Sequence, residues 1–72
     1  MFVVLSLGVQ RYPCVYNLEI INNKEEALDL AVKLCLEQDA TETAKEIRTQ
    51  LEEDGLYIPT KHAEWSVYVW EK

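Results

Sequence analysis

Seventy-two residues with a net charge of −6 make one small domain, since a chain this short buries only about 60% of its unfolded surface. An apolar fraction of 49%, with two glycines and two prolines, argues against a disordered chain, and no apolar run is long enough for a membrane-spanning helix. The acidic balance also opposes direct nucleic-acid binding by phosphate neutralisation.

In chain order, residues 1–9 are apolar but lack the basic leader and small-residue cleavage site of a signal peptide, so none is expected. Residues 2–7 (FVVLSL) predict a strand rich in β-branched and aromatic side chains. Val3, Leu5 and Leu7 share one side, and Phe2, Val4 and Ser6 the other. Both sides are largely apolar, so this strand is central or covered on both faces. Turn signals fill residues 8–13, where Pro13 suits a strand entry. Residues 14–21 then alternate Cys14, Tyr16, Leu18 and Ile20 with Val15, Asn17, Glu19 and Ile21. That pattern predicts a half-buried strand, joined to the first as a hairpin.

The first helix is expected to start at Asn23, with Glu26 three residues on to complete a capping box. Ala27, Leu28, Leu30, Ala31, Leu34 and Cys35 then span close to half its circumference, with Val32 just beyond. An arc that wide suits a helix touching both a sheet and another helix. For the second helix, Asp39 with Glu42 offers a capping pair and Thr41 a competing cap. Its apolar stripe is narrow (Ala40, Ala44, Ile47, Leu51), so it is expected at the periphery. Gly55 takes the left-handed terminating position, and Leu56 falls where an apolar contact back to Leu51 would close the cap. Residues 56–63 are predicted as a loop broken at Pro59, and residues 64–71 (EWSVYVWE) as the last strand. There Trp65, Val67 and Val69 oppose Ser66, Tyr68 and Trp70.

These elements predict an α+β domain spanning residues 1–72, a three-stranded, mainly antiparallel sheet with both helices on one face, in the order β-β-α-α-β. Up-and-down counting runs the last strand antiparallel to the second, and pairing with the first strand is the alternative. With only Cys14 and Cys35, a disulfide-built secreted scaffold is not expected. Two buried thiols in a reducing, cytoplasmic setting are.

Chemistry-bearing constellations are few. His62, with Glu64 and Cys14, is the only group resembling a catalytic or metal set, and no second histidine exists to complete a zinc site. A solvated loop histidine is the ordinary reading. No phosphate-binding glycine loop or linked nucleophile and base is present, so neither enzyme activity nor a cofactor is expected. Arg11, Lys61 and Lys72 with Tyr12, Tyr57 and Trp65 are too few cations for a nucleic-acid groove.

Two features remain. Residues 25–54 hold ten acids against Lys33, Lys45 and Arg48, which leaves −7 on the helical layer. On the second helix Glu42, Glu46 and Glu53 form an acidic ridge, with Glu42 and Glu46 a like-charge pair that mildly destabilises it. Apolar surface is also in surplus. If Trp65, Val67 and Val69 join Val3, Leu5 and Leu7 beneath the helices, Phe2, Val4, Tyr68 and Trp70 have nothing left to cover them; on the opposite assignment Trp65, Val67 and Val69 are stranded, so a patch remains either way. Such patches mark interfaces, and Trp and Tyr are favoured anchors.

In size, acidity and sheet-plus-helices plan the chain resembles small acidic α+β proteins that bacteriophages encode, including anti-CRISPR proteins and other host-defence inhibitors. The resemblance transfers no residue. What it implies is a non-enzymatic inhibitor in a host cytoplasm, binding a macromolecular partner. The expected contacts are Phe2, Val4, Tyr68 and Trp70 on the sheet, or Glu42, Glu46 and Glu53 towards a protein partner with a basic surface. A homodimeric regulatory subunit and a small-molecule-binding module are the alternatives.

Overall fold

A computed structural model describes residues 1–8, 14–60 and 64–72. Of the expected turn over residues 8–13, Gly8 belongs to the first strand, and residues 9–13, like the candidates Arg11, Tyr12, Lys61 and His62, lie outside the described residues. The elements are β1 (Phe2–Gly8), β2 (Cys14–Ile21), α1 (Lys24–Glu37), α2 (Ala44–Asp54), β3 (Leu56–Tyr57) and β4 (Trp65–Glu71). They form an antiparallel sheet of four strands in the order β2-β1-β4-β3, with both helices on one face. The α+β class is as expected; the strand count is not. β3 is only two residues long and Pro59 follows closely, so neither alternation nor length marks it in the sequence. It adds one more reversal of chain direction. For that reason β4 runs antiparallel to β1, with Val4 opposite Val69 and Ser6 opposite Val67, rather than antiparallel to β2.

Asn23 caps α1 as expected, its side-chain oxygen accepting from the amides of Glu25 (2.8 Å) and Glu26 (3.2 Å). The start of α2 is a correction. Thr43, not Asp39 or Thr41, is the cap, and Thr43 with Glu46 closes a reciprocal capping box. Both D-x-x-E and T-x-x-E fit the sequence rule, and tertiary contacts decide between them, because the carboxylate of Glu42 is engaged by β3 and its neighbours. At the other end Gly55 adopts φ 71° and donates to the Leu51 carbonyl at 2.9 Å. The Gly55 carbonyl accepts from Val69 at 2.9 Å, so the helix end is tied directly to β4. Leu56 enters β3 opposite Tyr68.

The core lies between the helices and one face of the sheet. Val4, Val67, Val69 and Trp65 meet Ala27, Leu28, Ala31 and Cys35 of α1 and Ile47 and Leu51 of α2. Leu28 and Ile47 are fully buried, each burial stabilising the fold by roughly 1.5–3 kcal/mol. Ser6 is buried on the same face, and Gln38, just past α1, donates to its hydroxyl at 3.2 Å. Above the core, Arg48 of α2 donates to Asp29 of α1 at 2.6 Å and also to Glu25, and pairs with Glu52 at 3.3 Å. One guanidinium thus holds three carboxylates, and part of the acidic surplus serves helix–helix contact. Of the two cysteines, Cys35 is buried and Cys14 is exposed, which corrects the expectation of two buried thiols.

Candidate functional site

The face of the sheet away from the helices is the candidate site. Cross-strand register places three rows of side chains on it: Ile20, Val3 and Trp70; Leu18, Leu5, Tyr68 and Leu56; and Val15, Leu7 and Ser66. No strand position on this face bears a charge. Val3 is shielded by its neighbours on the central strand, whereas Val15, Leu18, Ile20 and Trp70 are 59%, 57%, 55% and 44% exposed. Among the described residues no helix or strand packs over these rows.

The register corrects the expected division of residues. Val4 is 1% exposed, and Phe2 packs against the core. Both stand beneath the helices with Val69 and Ile21, so neither belongs to the uncovered face. Tyr68 and Trp70 do lie there, alongside Val3, Leu5 and Leu7, whereas Trp65, Val67 and Val69 stand beneath the helices with Val4, a division that neither expected assignment describes. Sequence alone cannot set this division, because both sides of β1 are apolar and either satisfies a core.

The residues that the sequence reading missed are Val15, Leu18 and Ile20. The alternation over residues 14–21 leaves open which side of the half-buried strand is covered. In the structure β2 is an edge strand, and its polar positions Asn17 and Glu19 lie on the helix side, opposite Ser6 and Val4. The helix layer does not reach far enough across to bury them: Glu19 is exposed and Asn17 half-buried. A bulge between Ser6 and Leu7 interrupts the β1–β2 register. Beside it the phenol ring of Tyr16 occupies the space above Gly8 where a β-carbon would project.

The acidic candidates come together in one shallow groove on the outer side of α2, where Glu42, Glu46 and Glu53 are joined by Lys45, Thr49 and Gln50. They are not a uniform helix ridge. Glu42 precedes the helix, and its carboxylate accepts from the hydroxyls of Tyr57, Thr41 (2.7 Å) and Thr60 (2.9 Å). These bonds, that of Tyr57 foremost, hold its pKa below the ordinary carboxylate value. Glu46 accepts from the Thr43 amide at 3.2 Å. The supposed like-charge pair therefore consists of two carboxylates with structural partners; Glu42 is half-buried, and Glu46 and Glu53 are exposed.

No protein-family model matches the chain, and no curated protein or solved structure matches it. Among the described residues no cluster of His, Cys, Asp and Glu has the makings of a metal site. Among the described residues no helix is long and apolar enough to cross a membrane. What the geometry offers is an apolar sheet surface without charged strand positions on one side and an acidic, internally bonded helix layer on the other. A surface of the first kind binds by exclusion of water and shape, not by charge recognition.

Proposed function

We propose that this chain is a non-enzymatic protein-interaction module that buries its open sheet face in a protein contact and turns its acidic helices outward. One observation carries the reading: three cross-strand rows of apolar or uncharged side chains over which no described helix or strand packs, with Val15, Leu18, Ile20 and Trp70 exposed among them. Soluble monomers rarely leave so contiguous an apolar patch exposed. Trp70 and Tyr68 supply rigid aromatic anchors at one side of the patch. The helical layer, with its net −7 over residues 25–54, adds a field that favours approach to basic surfaces.

The test is site-directed photo-cross-linking in cells. A photoreactive phenylalanine analogue placed at Ile20 or at Trp70 is expected to give a protein adduct, and the same analogue at Thr49 on the outer side of α2 is not. Absence of adducts from both Ile20 and Trp70 would overturn the reading.

A further inference from the structure

We infer that the occupant of the open sheet face is a second copy of the same chain, packed face to face as a two-sheet sandwich. The inference rests on the reading of that face as a contact surface. It draws on three further observations: the size of the face, the distribution of charge, and the shape of the sheet edges.

Size comes first. Strands of seven or eight residues at about 3.3 Å per residue, laid side by side about 4.8 Å apart, give a face of roughly 400 Å² in projection. Two such corrugated faces brought together remove on the order of 1,000 Å² of accessible surface, the size at which specific association begins. Per copy that is about a tenth of the 4729 Å² monomer surface, the usual share for a standard interface. A second copy supplies a surface of identical extent, equally free of charge.

Charge decides between a copy and a different partner. A chain with net charge −6 repels its own kind unless the charge is kept away from the contact. Here the excess sits on the far side of the sheet. Sheets stacked about 10 Å apart, each backed by a helix layer about 10 Å further out, hold the two acidic layers roughly 30 Å apart. That exceeds three screening lengths at physiological salt, each about 8 Å. Self-association by this face therefore carries almost no electrostatic cost, while by any surface that includes the helices it would. The uncovered face in turn offers a polar or basic partner nothing to recognise.

The edges point the same way. β3 is too short to template another strand, and the bulge twists the far end of β2. Edge-to-edge pairing through β2 would also leave the apolar rows exposed and double their extent, so it does not answer the surplus.

Sedimentation equilibrium across the micromolar range is expected to show a species of about twice the 8.4 kDa chain mass. Leu18→Lys, Ile20→Lys and Trp70→Arg, all at exposed positions outside the core, are each expected to weaken the dimer at least tenfold. Their far-UV circular dichroism at high dilution should match that of the unsubstituted chain. Independently of any variant, dilution should shift tryptophan emission to the red as Trp70 returns to water, and Trp70→Phe should abolish that shift. A chain that stays monomeric with concentration-independent emission overturns the inference. So does a dimer indifferent to all three substitutions, which would mean that the copies meet elsewhere. Sensitivity to the two β2 substitutions without Trp70→Arg would mean edge pairing, and overturns it as well. Photo-cross-linking separates the two levels: adducts with foreign proteins alone sink the second copy but keep the interaction reading, and no adducts sink both.

Discussion

Tyr57, its ring wholly buried against Trp65, reaches out of the core to donate its hydroxyl hydrogen to the carboxylate of Glu42. The bond fastens the segment between the helices to the shortest strand of the sheet. The amide of Thr41 in turn donates to the Tyr57 oxygen at 3.3 Å, and Thr60 joins through its hydroxyl. Tyr57→Phe keeps the buried ring and removes only this anchor. It is expected to cost about 1 kcal/mol, or roughly 4–8 °C in melting temperature for a domain this size. A calorimetric melt unchanged from that of the unsubstituted chain would show that the clip contributes nothing.

Acid should loosen the same clip. The hydrogen bond from Tyr57, followed by that from Thr41, lowers the Glu42 pKa in the folded state, and an unfolded glutamate titrates near 4.3 or so. A depressed folded value means that the stabilisation is fully present above the unfolded value, and fades as pH falls through the folded one. The difference in melting temperature between the unsubstituted chain and Glu42→Gln should therefore be constant near neutrality and shrink below about pH 4. Parallel curves down to strong acid would dissociate Glu42 from the pH dependence.

The two glycines should respond differently to alanine. At Gly55 the backbone is left-handed, and an added β-carbon would stand 3.0 Å from the Val69 carbonyl oxygen, which the sheet holds in place. Gly55→Ala is expected to cost about 1 kcal/mol or more. At Gly8 the obstruction is the far end of the exposed Tyr16 side chain, which can swing away. Gly8→Ala should thus cost less than Gly55→Ala in urea unfolding, and should make Tyr16 more accessible to nitration. The reverse order of the two costs would refute this account.

Thiol chemistry gives a direct view of the core. Burial pushes the Cys35 thiol up to about 12, while Cys14 is exposed at the head of β2. A thiol-specific chromogenic reagent at neutral pH should modify one equivalent quickly and the second only on denaturation. Two fast equivalents in the folded protein would mean that α1 does not seal its inner face.

Much of this fold is legible in the sequence, and the failures have identifiable causes. Asn23 and Gly55 mark helix ends because capping chemistry is local, and it needs nothing from the rest of the chain. Thr43 does not stand out because Asp39 and Glu42 satisfy the same local rule, and it takes Tyr57, fifteen residues on, with Thr41 and Thr60, to divert Glu42 from it. β3 escaped because two residues have no period. The open face was legible as a surplus but not as an address: Phe2 and Val4 compete with Val3, Leu5 and Leu7 for the core on equal terms, and pairing with β4 settles the contest. Along β2 the alternation is correct in period but does not say which side is covered. Register with Ser6 and Val4 sets Asn17 and Glu19 on the helix side, and they are tolerated there because the helix layer does not bury that edge.

The position of β1 between β2 and β4 also sets the order of assembly. Its pairing with β2 is local and can form on the timescale of a hairpin, about 1–10 µs, whereas its pairing with β4 joins Phe2 to Glu71 and brings the Lys72 amide to the Met1 carbonyl at 2.8 Å. That second ladder requires the helices to have carried the chain round first, so its contacts are the costliest to reach and the last to form. Interactions formed late govern escape from the native state more than arrival at it. Val67→Ala in β4 should accordingly speed unfolding in denaturant-jump experiments far more than it slows refolding. A protein held shut by its most distant pair of strands owes its lifetime, more than its speed of folding, to β4.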